Sequence, residues 1–401
     1  ITSFAKSFKE AQAYLIPLML LALTPGVMSL MPGIKFTATL ATVPLVNIVL
    51  LAREVLAGSA EWNTALVAIL CNTIYALAAL VLASRLFGTD ASMHGSKGSW
   101  SDLLLRPRET QLRPTADQMA LTMAIMFPLY FIASSSLSGL PEWFGFDSDL
   151  TTKLWFSAGV SVALILCVPL MAAWYRNIQF KSTFLLSMPA AHAWLGLLPA
   201  VVLLGGSAWM FAHEIFIFAQ NFIGTINFEL FADYQERLKS VPLVVVLIAF
   251  ALTPAVCEEV LFRGFVLSSL HRFSQSWAVV LSAVLFGLMH VLTSNVLAVE
   301  RFLPTTFMGL ILGFVAVRTR SLWPGMLLHS IHNGLLLSMG HYEDELARRG
   351  ILVDEGEHLP AVWLITGAIV FVVGIILILR SPPIDQPEEY PVSTHLSHGS
   401  T

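Results

Sequence analysis

Polar residues interrupt this chain only briefly, between apolar runs of about twenty residues, the length a helix needs to cross a hydrocarbon core. Such runs lie at Thr37–Leu56, Thr64–Leu86, Gln118–Ser136, Leu154–Trp174 and Trp194–Phe211. Others follow at Pro242–Leu270, Trp277–Val299, Phe302–Val317, Leu322–Gly340 and Ala361–Leu379. A further run, Tyr14–Met31, is broken by Pro17, Pro25 and Gly26 and could re-enter rather than cross. No alternation of period two is long enough for a barrel. The pattern predicts an all-α, polytopic transmembrane helical bundle of about ten or eleven spans, with a core of about eight.

Composition supports this reading. Only 12% of residues are charged, 56% are hydrophobic and the mean hydropathy is +0.75. A soluble domain carries roughly 25% charged residues. Lys and Arg (22) trail Asp and Glu (26) and form no basic run, so a nucleic-acid partner is not expected. Cys71, Cys167 and Cys257 each lie in an apolar stretch, which excludes a disulfide framework and a Cys-rich metal cluster.

The longest polar connection, 87–116, is expected to be a cytoplasmic linker between a membrane fragment, 1–86, and a membrane domain, 117–380. A disordered, Pro- and Ser-rich tail is expected over 381–401. The chain starts at Ile1 with no leader-like segment, which suggests a fragment of a longer protein. From Arg85 onward, one alternate set of connections holds eleven Lys or Arg, including Arg113, Lys181, Arg272 and Arg320. The other set holds six, including Lys239, Arg301, Arg348 and Arg349. The excess places the first set in the cytoplasm of a multi-pass protein of the cell (inner) membrane. Trp143, Trp155, Trp174, Trp277 and Trp323 sit near span ends, as interfacial anchors do.

Three charged residues stand where lipid should forbid them. Glu258, Glu259 and Arg263 fall inside the apolar run Pro242–Leu270. Exposed to lipid they would cost about 7–10 kcal/mol together, so they must face protein or a watered cavity. Glu259 and Arg263 are four apart with the acid first, the favoured pairing order on a helix. Glu258 is turned about 100° away and is left as the freer carboxylate. Phe286 and His290 share a face of the next span, and His329 and Asn333 share a face of a later one. At 1.5 Å per residue, Glu258, His290 and His329 all fall near the same depth in the bilayer. Carboxylate, imidazoles and carboxamide at one depth suit a reaction centre or an ion path.

Glu258-Glu259-x-x-x-Arg263, Phe286-x-x-x-His290 and His329-x-x-x-Asn333, in this order on core spans, resemble the CPBP family. That family contains the type II CAAX prenyl endopeptidases and the Abi bacteriocin self-immunity proteins. The resemblance implies an intramembrane endopeptidase in which Glu258, with His290, activates a water. His329 and Asn333 would stabilise the oxyanion, while Glu259 and Arg263 hold the helix geometry. The family has been described both as metalloproteases and as metal-independent glutamate proteases; no obligatory metal is expected here, although Glu258, His290 and His329 could form a zinc site with one open position. The substrate would be a hydrophobic or membrane-protein peptide. Residues 1–86, with Thr24-Pro-Gly, Met31-Pro-Gly and Val43-Pro-Leu-Val-Asn47, resemble the membrane end of sodium-exporting ABC permeases, which implies an ABC ATPase subunit as partner.

Other intramembrane proteases fit poorly, since the chain has no His-Glu-x-x-His and no Gly-x-Gly-Asp. The rival class is a transport subunit, such as an ABC exporter permease, in which the Glu/Arg/His cluster is structural or an ion path. The paired motifs and Asn333 favour hydrolysis, because an ion path needs no oxyanion donor.

Overall fold

The computed structural model describes residues 34–88, 106–107, 109–135, 144–147, 149–223, 235–292, 299–350 and 357–382, with scattered helical positions between 9 and 27. Most of the Tyr14–Met31 run, residues 89–105 of the expected linker, Trp143 and the tail beyond 382 fall outside them.

Among the described residues the chain is helical and forms no strand, apart from one isolated bridge between Gln111 and Ile178. The main helices are α1 (Ala38–Thr42), α2 (Val46–Ala57), α3 (Trp62–Gly88), α4 (Ala116–Ser135) and α5 (Leu150–Tyr175). They continue with α6 (Trp194–Ile223), α7 (Leu243–Ser269), α8 (Gln275–Leu292), α9 (Phe302–Thr319), α10 (Leu322–His341) and α11 (Ala361–Arg380). Seven of these, α3–α7, α9 and α11, are long and apolar enough to cross a membrane. The remaining two core spans depart from that rule for visible reasons. α8 is apolar but shorter, and α10 is long but carries His329, His332, Asn333 and His341.

The first expected span, Thr37–Leu56, is not one helix. It breaks into α1 and α2 at Val43-Pro44-Leu45, because Pro44 has no N–H and Leu45 takes a positive φ of 68°. The Asn47 side chain then donates to the Ala41 carbonyl at 3.0 Å, closing the corner. Ala41, Val67, Ala68 and Cys71 share an apolar core with Phe127, Cys257, Phe262 and Phe286, and α1 and α3 join that core chiefly by packing on α4.

Prolines also shape the interior. In α7 the turn Ile248–Leu252 widens to π-helical geometry just before Pro254, which cannot bond the carbonyl of Phe250. In α5 the turn Ser161–Leu166 widens just before Pro169 in the same way. A second wide turn of α7, Val260–Val266, directly follows Glu259. Glycines set the close crossing of α8 and α9. A Cβ on Gly309 would stand 2.9 Å from Ala283, and one on Gly313 would stand 2.9 Å from Val279. The outer helix α11 leaves Val362, Ile365 and Ile369 exposed, as side chains facing hydrocarbon should be.

The connections sort into two ends. At one end, the Gln179 N–H donates to the Gln111 carbonyl (2.8 Å), Ser268 to the Thr183 carbonyl (2.6 Å) and the Leu322 N–H to the Leu185 carbonyl (3.1 Å). At the other, Lys239 bridges Glu236 (2.8 Å) and Asp344 (3.3 Å), and the Leu359 N–H donates to Glu214 (2.8 Å).

Candidate active site

α7 brings two adjacent carboxylates to the middle of the bundle and gives them opposite surroundings. Glu259 is fully buried, and its Oε1 accepts from Arg263 Nη1 at 2.8 Å and from His329 Nδ1 at 3.1 Å. Arg263 is 1% exposed and uses its other Nη to donate to the Gly309 carbonyl at 3.2 Å. Its guanidinium lies over the Phe286 ring, 4.4 Å from the centroid. The Glu259–Arg263 pair therefore ties together α7, α9 and α10, with the α8 aromatic ring stacked on the cation. Gly325 of α10 makes room for it, since a Cβ there would stand 3.1 Å from Glu259 Oε2.

Glu258 faces the other way. Its Oε2 is buried and has no hydrogen-bond partner. The nearest polar atoms are His290 Nε2 at 3.8 Å and His329 Nε2 at 3.9 Å, one from α8 and one from α10. The tautomers follow from the other ring nitrogens. His290 Nδ1–H donates to the Phe286 carbonyl at 2.9 Å, so its Nε2 keeps a lone pair. His329 Nδ1–H donates to the Glu259 carboxylate, which leaves its Nε2 turned towards Glu258. Phe286 packs between the imidazoles, with ring centroids 4.5 Å from His290 and 5.9 Å from His329.

The structure thus gathers Glu258, His290 and His329 around one small space, with Glu259, Arg263 and Phe286 behind it. Asn333 lies one turn beyond His329 and lines a cavity of about 450 Å³, whose walls include Val246, Phe250, Leu336, Leu337 and Arg301. Leu238, Gly340 and His341 place this cavity towards the Lys239 end of the bundle. Two imidazoles and a carboxylate are the donor types of a catalytic zinc site. As they stand, however, no group of three such side chains among the described residues converges closely enough to hold a metal ion.

Sequence reasoning missed three features of the site. It paired Glu259 with Arg263 but not with His329, a contact across 70 residues that no local spacing announces. It read Arg301 as an orientation charge, yet Arg301 lines the cavity. It passed over Tyr130 of α4, which lies beside Ser161 of α5 and within electrostatic reach of Glu258. A tyrosine in an otherwise apolar span was the available signal.

No curated protein and no solved structure matches the chain. Residues 240–335 match the family model for type II CAAX prenyl endopeptidases, Rce1-like, which supports a CAAX-type membrane protease. That stretch contains Glu258, Glu259, Arg263, Phe286, His290, His329 and Asn333, so the part of the chain that carries the site is the part similar to the type II CAAX prenyl endopeptidases.

Proposed function

We propose that this chain is an intramembrane endopeptidase that cleaves a hydrophobic or membrane-associated peptide with a water activated by Glu258 and His290. The observation that carries the reading is the buried, unpartnered Glu258 Oε2 facing two imidazole Nε2 atoms at 3.8 and 3.9 Å. A water in that space meets an acceptor on Glu258 and another on His290. Glu258 takes a proton as the water oxygen adds to the scissile carbonyl, and later returns it to the leaving amine. His329 resembles the imidazole of a carboxylate–histidine pair, because Glu259 fixes its Nδ1–H and would stabilise the imidazolium. In that form its Nε2–H donates to the oxyanion, and the Asn333 amide supplies a second donor from the cavity side.

The apolar cavity beside Asn333 is the space in which a peptide would lie. The reading also takes residues 1–86 as the end of an ABC exporter permease fused to a protease domain at 117–380, in the cell membrane. The support is the likeness of the proline-marked motifs, and co-purification of an ATPase subunit from native membranes tests it.

The test of the protease reading is cleavage of a panel of apolar and prenylated peptides by the purified protein in detergent, wild type beside Glu258→Gln. Cleavage that is lost in the folded variant supports the reading. Cleavage that persists at the wild-type rate sinks the assignment of Glu258.

A further inference from the structure

A second and larger cavity, of about 700 Å³, opens at the opposite end of the bundle from the Asn333 cavity. Its volume lies within the range of small-molecule sites, roughly 300–1,000 Å³. Five cationic or protonatable side chains line it: Arg113, Lys181, Arg263, His271 and Arg320. Among the described residues no Asp or Glu does. In a protein with 12% charged residues and a net charge of −4, such a one-sign cluster is far from the average.

The cavity has a polar floor and an apolar flank. At the floor is Arg263, 1% exposed, which is paired with Glu259 and the Gly309 carbonyl through its two Nη atoms and keeps a buried Nε with no hydrogen-bond partner. The flank is formed by Leu185, in the connection after α5, and by Leu267 and Val317, near the ends of membrane-crossing helices. The neighbouring hydroxyls are already spent on backbone, with Ser182 donating to the Leu112 carbonyl and Ser268 to the Thr183 carbonyl. The cavity wall therefore offers a ligand positively charged side chains rather than hydroxyls. α8, an 18-residue helix, also starts here at Gln275, and its N-terminal amides favour negative charge.

We infer that this cavity binds a phosphate-type anion, the headgroup of an anionic phospholipid or a soluble phosphate. Basic pockets between transmembrane helices take anionic headgroups in this way, and the apolar flank suits the glycerol and first methylenes of a lipid. The inference does not depend on whether the chain cleaves peptides.

The test uses the full chain, purified in detergent, with native mass spectrometry to count retained phosphatidylglycerol against phosphatidylcholine, and calorimetric titration with inorganic phosphate. The variant is Arg113→Gln/Lys181→Gln/Arg320→Gln. All three side chains are exposed, so the fold should survive their loss. A control, Arg348→Gln/Arg349→Gln, removes two cations from the other end. Each cation removed from the cavity should weaken binding about fivefold. Phosphatidylglycerol retained by the wild type, lost in the triple variant and not displaced by phosphate supports the site with a lipid occupant. Phosphate binding lost in the triple variant supports it with a soluble one. Equal retention in wild type and triple variant without phosphate binding, or an equal loss in the control, overturns it.

Discussion

Glu258 and Glu259 are neighbours in the chain, yet the two faces of α7 they occupy differ in almost everything but chemistry. Glu259 sits in packed protein, held through Oε1 by Arg263 and His329 while its Oε2 is buried against Gly325 without a hydrogen bond, and together with Arg263 it links three helices. Glu258 sits beside the space between His290 and His329 with a buried oxygen left unbonded. A buried ion pair contributes little net stability, but breaking one is costly, so Glu259 is poised to fix geometry. An unbonded buried acceptor costs stability in the resting fold, and is tolerable where a water or substrate completes it. The same side chain, turned by one residue, thus serves as a joint on one face and as an open valence on the other.

The sharpest way to break this comparison is to neutralise each acid in turn. Glu258→Gln should lower the cleavage rate by about 10²–10⁴-fold, with a thermal midpoint in detergent close to wild type. A large loss of stability instead would make Glu258 structural. Glu259→Gln should do the reverse first, destabilising the fold by about 3–5 kcal/mol because Arg263 stays buried with its partner gone. Replacing both, as Glu259→Leu/Arg263→Met, should recover much of that stability in unfolding measurements without recovering activity, since His329 still lacks its carboxylate. Recovery of activity would remove His329 from the chemistry.

Asn333→Ala should cost about 10²–10³ in kcat with KM little changed, the signature of a donor used only in the transition state. A change confined to KM would make Asn333 a wall of the cavity and nothing more. Gly325→Ala is milder. The added methyl presses on Glu259 Oε2 at 3.1 Å, and a loss of about 1–3 kcal/mol in thermal unfolding is expected.

The smallest effect belongs to the far surface. Hydrogen bonds to Glu236 and Asp344 raise the Lys239 ammonium above its ordinary range. A raised folded value means that its stabilisation is complete below the unfolded lysine pKa and is lost only as pH rises through the folded one. Lys239→Met should therefore cost about 0–1 kcal/mol, by an amount steady across neutral pH and shrinking in strong alkali, when thermal midpoints are compared across pH. Loss of the effect near pH 6 would contradict this.

Much of the architecture is legible because lipid imposes a simple rule, and the run lengths follow it. The core spans from α3 onward lie where apolar runs place them, and the two that fall short do so through length (α8) or through histidines (α10). The break at Pro44 was written in the sequence but hidden by the apolar residues on both sides of it. The i, i+4 pair Glu259–Arg263 was legible because helix geometry is local. The bond from His329 to Glu259 was not, since it depends on how α10 crosses α7. The crossing itself depends on small residues such as Gly325, whose role emerges only once its neighbour is known.

The widened turns of α7 carry a further consequence. A π turn accommodates one residue more than an α-helical turn, and Glu258 and Glu259 lie between two of them, Ile248–Leu252 and Val260–Val266. Deleting a single residue from the first would be absorbed as that turn returns to ordinary winding, whereas without this slack the same deletion would rotate everything after it by about 100° against the start of the helix. That is the angle between the two acids, so the joint would swing towards the open space and the open valence towards the packing. The helix works as an indexed spindle, on which one residue of slack decides which carboxylate is presented to the chemistry.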